Sequence, residues 1–227
     1  MYAFSIDQYD ARMSKELVQQ KFEAAWEVFA MTCGSYLAPE ASYQAWFAHY
    51  LISQFGIDRV AREPVVHIRN LPENEHTMTF GGKSEIRLDA VVTREPGIMM
   101  PHYANRLAKA VDGTGLGLLN HLDVISELKV AASQTNGLDF PEVKRDIYKL
   151  RMLLHARREE YGESKQPLAY LCVLDNHPKR KKFDKERLLS LAENIDSDLS
   201  VKVLYKSSEN VPRLPENGRL YKWETHE

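Results

Sequence analysis

"VISELKVAAS", residues 124–133, places an acid, Glu127, two residues before a base, Lys129, inside an apolar run. Val124, Ile125, Leu128, Val130, Ala131 and Ala132 surround the pair, and polar turns bound the segment, so the pattern predicts a buried strand. Residues i and i+2 of a strand point to the same face of its sheet. A buried charge is costly unless it is paired or coordinates something. Either Glu127 and Lys129 neutralise each other there, or both meet a charged ligand.

Two helices are predicted before this strand. Over residues 14–31, Leu17, Val18, Phe22, Trp26 and Phe29 recur at helical spacing behind Ser14, a good N-cap. "APEASYQAWFAHYLISQFG" predicts a second helix, with Pro39 in its first turn and Gly56 at its end. A strand is expected near "PVVHIR" (64–69), followed by the polar turn "NLPENEH". Another is expected at "EIRLDAVV" (85–92), with Ile86, Leu88, Ala90 and Val92 on one face and Glu85, Arg87, Asp89 and Val91 on the other. Residues 94–122 read as an insertion, with a short helix around "PHYANRLAKAV" and a flexible "DGTGLG".

After the 124–133 strand, "FPEVKRDIYKLRMLLHARREE" predicts a helix with Val143, Ile147, Leu150 and Leu154 as its core stripe. "PLAYLCVLD" predicts a strand, "FDKERLLSLAENI" a helix and "LSVKVLY" a last strand, before a polar tail from Ser207. This order implies an α/β chain built on a central mixed sheet with helices on both faces. One domain over 1–227 is expected, with its core at about 36–205 and a C-terminal extension at 207–227.

The composition suits that reading. The chain has 227 residues, 44% hydrophobic and 27% charged, as in an ordinary globular protein. It offers no apolar run long enough for a transmembrane helix and no signal-peptide pattern at "MYAFSIDQYDARMSKE". Cys33 and Cys172 lie far apart in apolar settings, so a reducing cytoplasmic location is expected. A net charge of −2 argues against binding nucleic acid by bulk charge but allows local basic faces such as "HARR" and "PKRKKFDK". The histidines, among them His102, His121 and His155, have no metal-binding spacing; "GTGLG" lacks the lysine of a phosphate loop; no G-x-S-x-G elbow occurs.

Chemistry is concentrated in three residues. Asp89 and Glu127 supply hard oxygens of the kind Mg²⁺ takes alongside water and substrate phosphate. Lys129 beside them is suited to positioning or deprotonating a water, or to countering charge on a phosphoryl oxygen. "LDAVV" followed by "SELKV", between a leading and a trailing helix, resembles the core of the PD-(D/E)XK, or restriction-endonuclease-like, nuclease superfamily. Asp89 matches the motif's first Asp and Glu127-Leu128-Lys129 its (D/E)-x-K, whereas Leu88 stands where a proline often precedes the Asp. The insertion at 94–122 makes the gap between the two half-motifs longer than usual.

The resemblance implies a Mg²⁺- or Mn²⁺-dependent endonuclease acting on nucleic acid, DNA in the first instance. Asp89 and Glu127 would be ligands, joined by the backbone carbonyl of Leu128 or Val130 and by Glu40 from the preceding helix. Glu40 is equally explained as a first-turn acid on the helix dipole. Gln134 just past the strand, and Arg145, Asp146 and Lys149 on the following helix, are candidates for contacts near the phosphate, or else form surface pairs. Cutting a duplex would favour a homodimer, and a protein partner is also compatible. The other readings are a non-catalytic member of the fold that binds nucleic acid or protein, and a small-molecule phosphoesterase.

Overall fold

The computed structural model describes residues 13–67, 85–98, 115–163, 166–178, 181–193 and 199–208. The expected turn at 70–76, the helix around 101–111 and the tail beyond 208 fall outside them. Helices α1 (Lys15–Cys33) and α2 (Glu40–Phe55) lead the chain. Strands β1 (Val60–Arg62), β2 (Val65–His67), β3 (Glu85–Arg87) and β4 (Ala90–Thr93) follow. The short helix α3 (Gly115–Asn120) precedes β5 (Leu122–Val130). Then come α4 (Phe140–Tyr161), β6 (Leu168–Asp175), α5 (Lys185–Glu193) and β7 (Val201–Ser207).

A five-stranded mixed sheet, in the order β1-β4-β5-β6-β7, is flanked by helices on both faces. The β1/β4 and β4/β5 pairs are antiparallel; β5/β6 and β6/β7 are parallel, joined by crossovers through α4 and α5. One face packs on α1 and α2 through an aromatic cluster of Phe22, Trp26, Phe29, Tyr43 and Phe47. The other packs on α3, α4 and α5 through Leu118, Ile147, Leu150, Leu153 and Leu188. The packed core thus reaches back to α1, ahead of the expected start near residue 36. Leu17, expected inside, is exposed.

Three expectations need correction. The strand near 64–69 is β2, and the shorter β1 just before it was not foreseen. "DGTGLG" is not wholly a hinge: residues from Gly115 on belong to α3, whose Leu118 and Leu119 are buried. The strand expected over 85–92 is broken at Leu88–Asp89. Both arms of the hairpin break at this level, because β2 and β3 form a separate two-stranded ladder in the same register as β1 and β4.

The break has a local cause. Pro64 has no N–H for the ladder, and Glu63 before it adopts φ 48°, a left-handed conformation that side chains rarely take. Two backbone bonds bridge the bend, Glu63 N–H to the Asp89 carbonyl and Leu88 N–H to the Pro64 carbonyl. The side-chain alternation is disturbed accordingly. Ile86, Leu88 and Val91 pack on the α4 side, whereas Ala90 and Val92 pack on the α1–α2 side. Asp89 sits at the bend.

Candidate active site

The bend determines what β5 has beside it. The β4/β5 ladder ends with Ala90 opposite Ser126, so β4 no longer flanks β5 from Glu127 onward. The Asp89 carboxylate takes the strand's place: its Oδ2 accepts from the Leu128 backbone N–H at 2.7 Å, and its Oδ1 accepts from Gln44 Nε2 at 2.9 Å. Gln44 Oε1 in turn lies 3.4 Å from an Arg62 guanidinium nitrogen. A strand residue's N–H and C=O point to the same edge, so the Leu128 carbonyl shares the edge on which Asp89 lies.

Glu127 and Lys129 do point to one face of the sheet, and that face meets α4. They do not pair with each other. Glu127, 2% exposed, accepts from Lys149 Nζ at 2.6 Å through Oε2. Lys129 Nζ lies 3.1 Å from Asp146 Oδ2, and Asp146 Oδ1 lies 3.6 Å from Lys149 Nζ. Lys149 also donates to the Arg87 backbone carbonyl at 3.1 Å. Helix α4 therefore brings an acid and a base, one turn apart, to the base and acid of β5.

Glu127 Oε1 is buried and has no hydrogen-bond partner among the described residues. Burial holds the Glu127 carboxyl well above the ordinary carboxylate range; Lys149 opposes the rise, while the charges of Asp89 and Asp146 add to it. Burial also raises Asp89, against the Leu128 N–H and the two lysines, with Asp146 reinforcing the rise. For Lys129 burial favours the neutral amine, but Asp146, Asp89 and Glu127 outweigh it, and its pKa rises above the usual lysine value. Lys149 is likewise raised: Glu127, Asp146 and Asp89 outweigh its burial.

The cluster opens into a cleft of about 1280 Å³ lined by Lys129, Asp146, Lys149 and Arg87. Of the other residues singled out from the sequence, Glu40, Gln134 and Arg145 also line it. Glu40 is the first residue of α2 and exposed, at the mouth and not among the buried carboxylates. Gln134 follows the short 3-10 turn after β5, and Arg145 stands on the exposed side of α4.

The donor set suits a hard cation: two carboxylates on adjacent segments, a buried carboxylate oxygen lacking a partner, and a backbone carbonyl on the same edge. Mg²⁺ needs only one or two carboxylates when water and phosphate complete its shell. No group of three or more His, Cys, Asp or Glu positioned to hold a metal occurs among the described residues.

Gln44 was the site residue missed from the sequence. Its signal was an amide on the inward face of α2, beside the buried Tyr43 and Phe47. Asp146 carried a similar signal, an acid set between Val143 and Ile147 of the core stripe, although its pairing with Lys129 was not readable. No helix of the described residues is long and apolar enough to cross a membrane. Comparison of the chain with protein-family models, with curated proteins and with solved structures finds no match in any of the three.

Proposed function

We propose that this protein is a metal-dependent nuclease with a restriction-endonuclease-like core, hydrolysing phosphodiester bonds of nucleic acid, DNA first among them, at a D…ExK site. The observation that carries the reading is the proximity of Asp89, at the bend between β3 and β4, to Glu127 and Lys129 of β5, where β4 bends away and Lys129 lines a cleft.

Asp89 and Glu127 would hold Mg²⁺ or Mn²⁺, with the Leu128 carbonyl and waters completing the shell. The ion, when bound, would polarise the scissile phosphate and acidify a water. Lys129, kept protonated by Asp146, would orient the attacking water and oppose the negative charge gathering on the phosphoryl oxygens. Gln44 and the Leu128 N–H keep the Asp89 carboxylate facing the site, while Arg145 and Gln134 line the path along which a phosphate backbone would run.

A second reading has its own support. All the side-chain charges of the cluster have partners within the chain, which would suit a non-catalytic member of the fold that binds nucleic acid or a protein. The two readings separate on supercoiled plasmid, circular single-stranded DNA and structured RNA, incubated with Mg²⁺, Mn²⁺ or EDTA beside Lys129→Ala. Metal-dependent cutting that disappears in the variant supports the nuclease. Binding by both proteins with cutting by neither supports the second reading.

A further inference from the structure

The position of Lys149 raises a question about the metal site. Its ammonium touches Glu127 Oε2 at 2.6 Å, the Arg87 carbonyl at 3.1 Å and Asp146 Oδ1 at 3.6 Å. A carboxylate oxygen, a backbone carbonyl and a second carboxylate are oxygen donors of the kind a divalent cation takes. We infer that Lys149 is a tethered counter-ion that stands in for a cation's charge beside Glu127 and must withdraw into the cleft before a divalent ion can bind. The inference rests on the nuclease reading, since it concerns the same carboxylates.

Charge balance supports it. With all groups ionised, Asp89, Glu127 and Asp146 carry one negative charge more than Lys129 and Lys149 neutralise. A divalent ion added with Lys149 in place would leave a net positive charge in a buried pocket, with an ammonium beside the ion. Like charges at that separation repel strongly where water is scarce. If Lys149 withdraws, three carboxylates face one ammonium and one divalent ion, and the charges cancel.

Geometry allows the movement. The polar contacts of Lys149 are made by its terminal nitrogen, its side chain is 15% exposed, and it lines the cleft. Asp146 would stay with Lys129, so the general-purpose lysine of the motif keeps its own partner while Lys149 moves. In the cleft the released ammonium would meet the substrate backbone. Ion and substrate would then favour the same conformation, and each would bind better in the other's presence.

The test is Mn²⁺ binding to the whole protein, followed by electron paramagnetic resonance of the free ion, for the wild type and Lys149→Met. The isosteric apolar side chain removes the competing charge, and we expect binding about tenfold tighter, the size expected from freeing a charge-assisted hydrogen-bond acceptor. Equal or weaker binding by a folded variant, with the wild type still binding, overturns the inference and leaves the nuclease reading standing. No binding by either protein removes both. A measurement on the wild type avoids dependence on the variant's folding: labelling of Lys149 by an amine-reactive reagent, read by peptide mass at constant ionic strength. Mg²⁺ should raise that labelling severalfold, and in Glu127→Gln it should be high without metal and insensitive to it. Labelling of the wild type that stays constant or falls with Mg²⁺ overturns the inference.

Discussion

Strand β5 has two faces with opposite chemistry. On one, Val124, Leu128 and Val130 pack against the aromatic layer of α1 and α2. On the other, Glu127 and Lys129 meet Lys149 and Asp146 of α4. The period-two alternation of an extended chain allows both at once. The apolar face contributes stability in proportion to the surface it removes from water. The polar face contributes much less, because desolvating the charges offsets most of what their pairing returns. A strand whose alternate residues do both jobs can carry a costly site because its other side holds it in place.

The comparison is tested most severely on the aromatic side. Phe47 is buried on α2, with Phe22, Trp26 and Phe29 at ring-centroid distances of 5.8, 6.1 and 5.2 Å. Phe47→Ala should cost about 3–5 kcal/mol of stability, seen as a large fall in Tm. The milder Phe47→Leu, assayed well below its own Tm, should keep the wild-type cleavage rate. A folded Phe47→Leu protein that no longer cuts would show that the two faces are not separable.

On the polar side the balance reverses. Lys129→Ala removes the partner of Asp146 at a half-buried position, and Lys149 remains 3.6 Å from that carboxylate. The expected loss of stability is about 1–2 kcal/mol, or roughly 3–6 °C in Tm. Cleavage should vanish. A collapse in stability as large as that of Phe47→Ala would instead make the lysine structural.

The same pair sets a pH dependence. The pKa of Lys129 lies above its unfolded value, so its contribution is fully present below the ordinary lysine pKa and is lost as the pH rises through the higher folded value. The Tm gap between wild type and Lys129→Met should therefore be constant from pH 7 to about 10 and close above that. Thermal melts across this range decide it. A gap that closes already near neutrality would mean that the ion pair is not what separates the two proteins.

Much of the fold was legible because periodicity is local. Ser14 caps α1 as expected, accepting from the Leu17 N–H, and the stripe of Val143, Ile147, Leu150 and Leu154 is buried. The sheet with helices on both faces follows from such segments. The bend was not legible. "EIRLDAVV" alternates well enough to read as one strand, and what breaks it is Pro64, opposite Leu88 in the partner arm. For the site, the sequence singled out Asp89, Glu127 and Lys129 and put the latter two on one face, but it could not say who neutralises whom. The pairing of Glu127 with Lys149 depends on how α4 is set over the sheet, and packing between distant elements leaves no local pattern. Lys149, within hydrogen-bond distance of Glu127, offsets its charge.

The smallest expected change in stability comes from Asp89→Asn, and it separates the faces most finely. Asp89 works as a hydrogen-bond acceptor twice, toward the Leu128 N–H and toward Gln44 Nε2. Asparagine keeps one acceptor oxygen for Leu128. If the Gln44 amide turns over, its oxygen can accept from the new Asn nitrogen, at the loss of the long 3.4 Å contact from Arg62. The substitution also removes a carboxylate that burial disfavours and that raises its neighbour Glu127. Stability should stay within about 1 kcal/mol of wild type, on the favourable side at pH 7, where the buried charge is unwelcome. A neutral amide oxygen is a much poorer ligand for Mg²⁺ than a carboxylate, so cleavage should fall below detection and Mn²⁺ binding should weaken. A variant that melts higher and cuts nothing would mark Asp89 as a residue held at a cost for its chemistry. One that melts several degrees lower would show that the carboxylate is needed to tie the bend to β5, and would place Asp89 with the structural face.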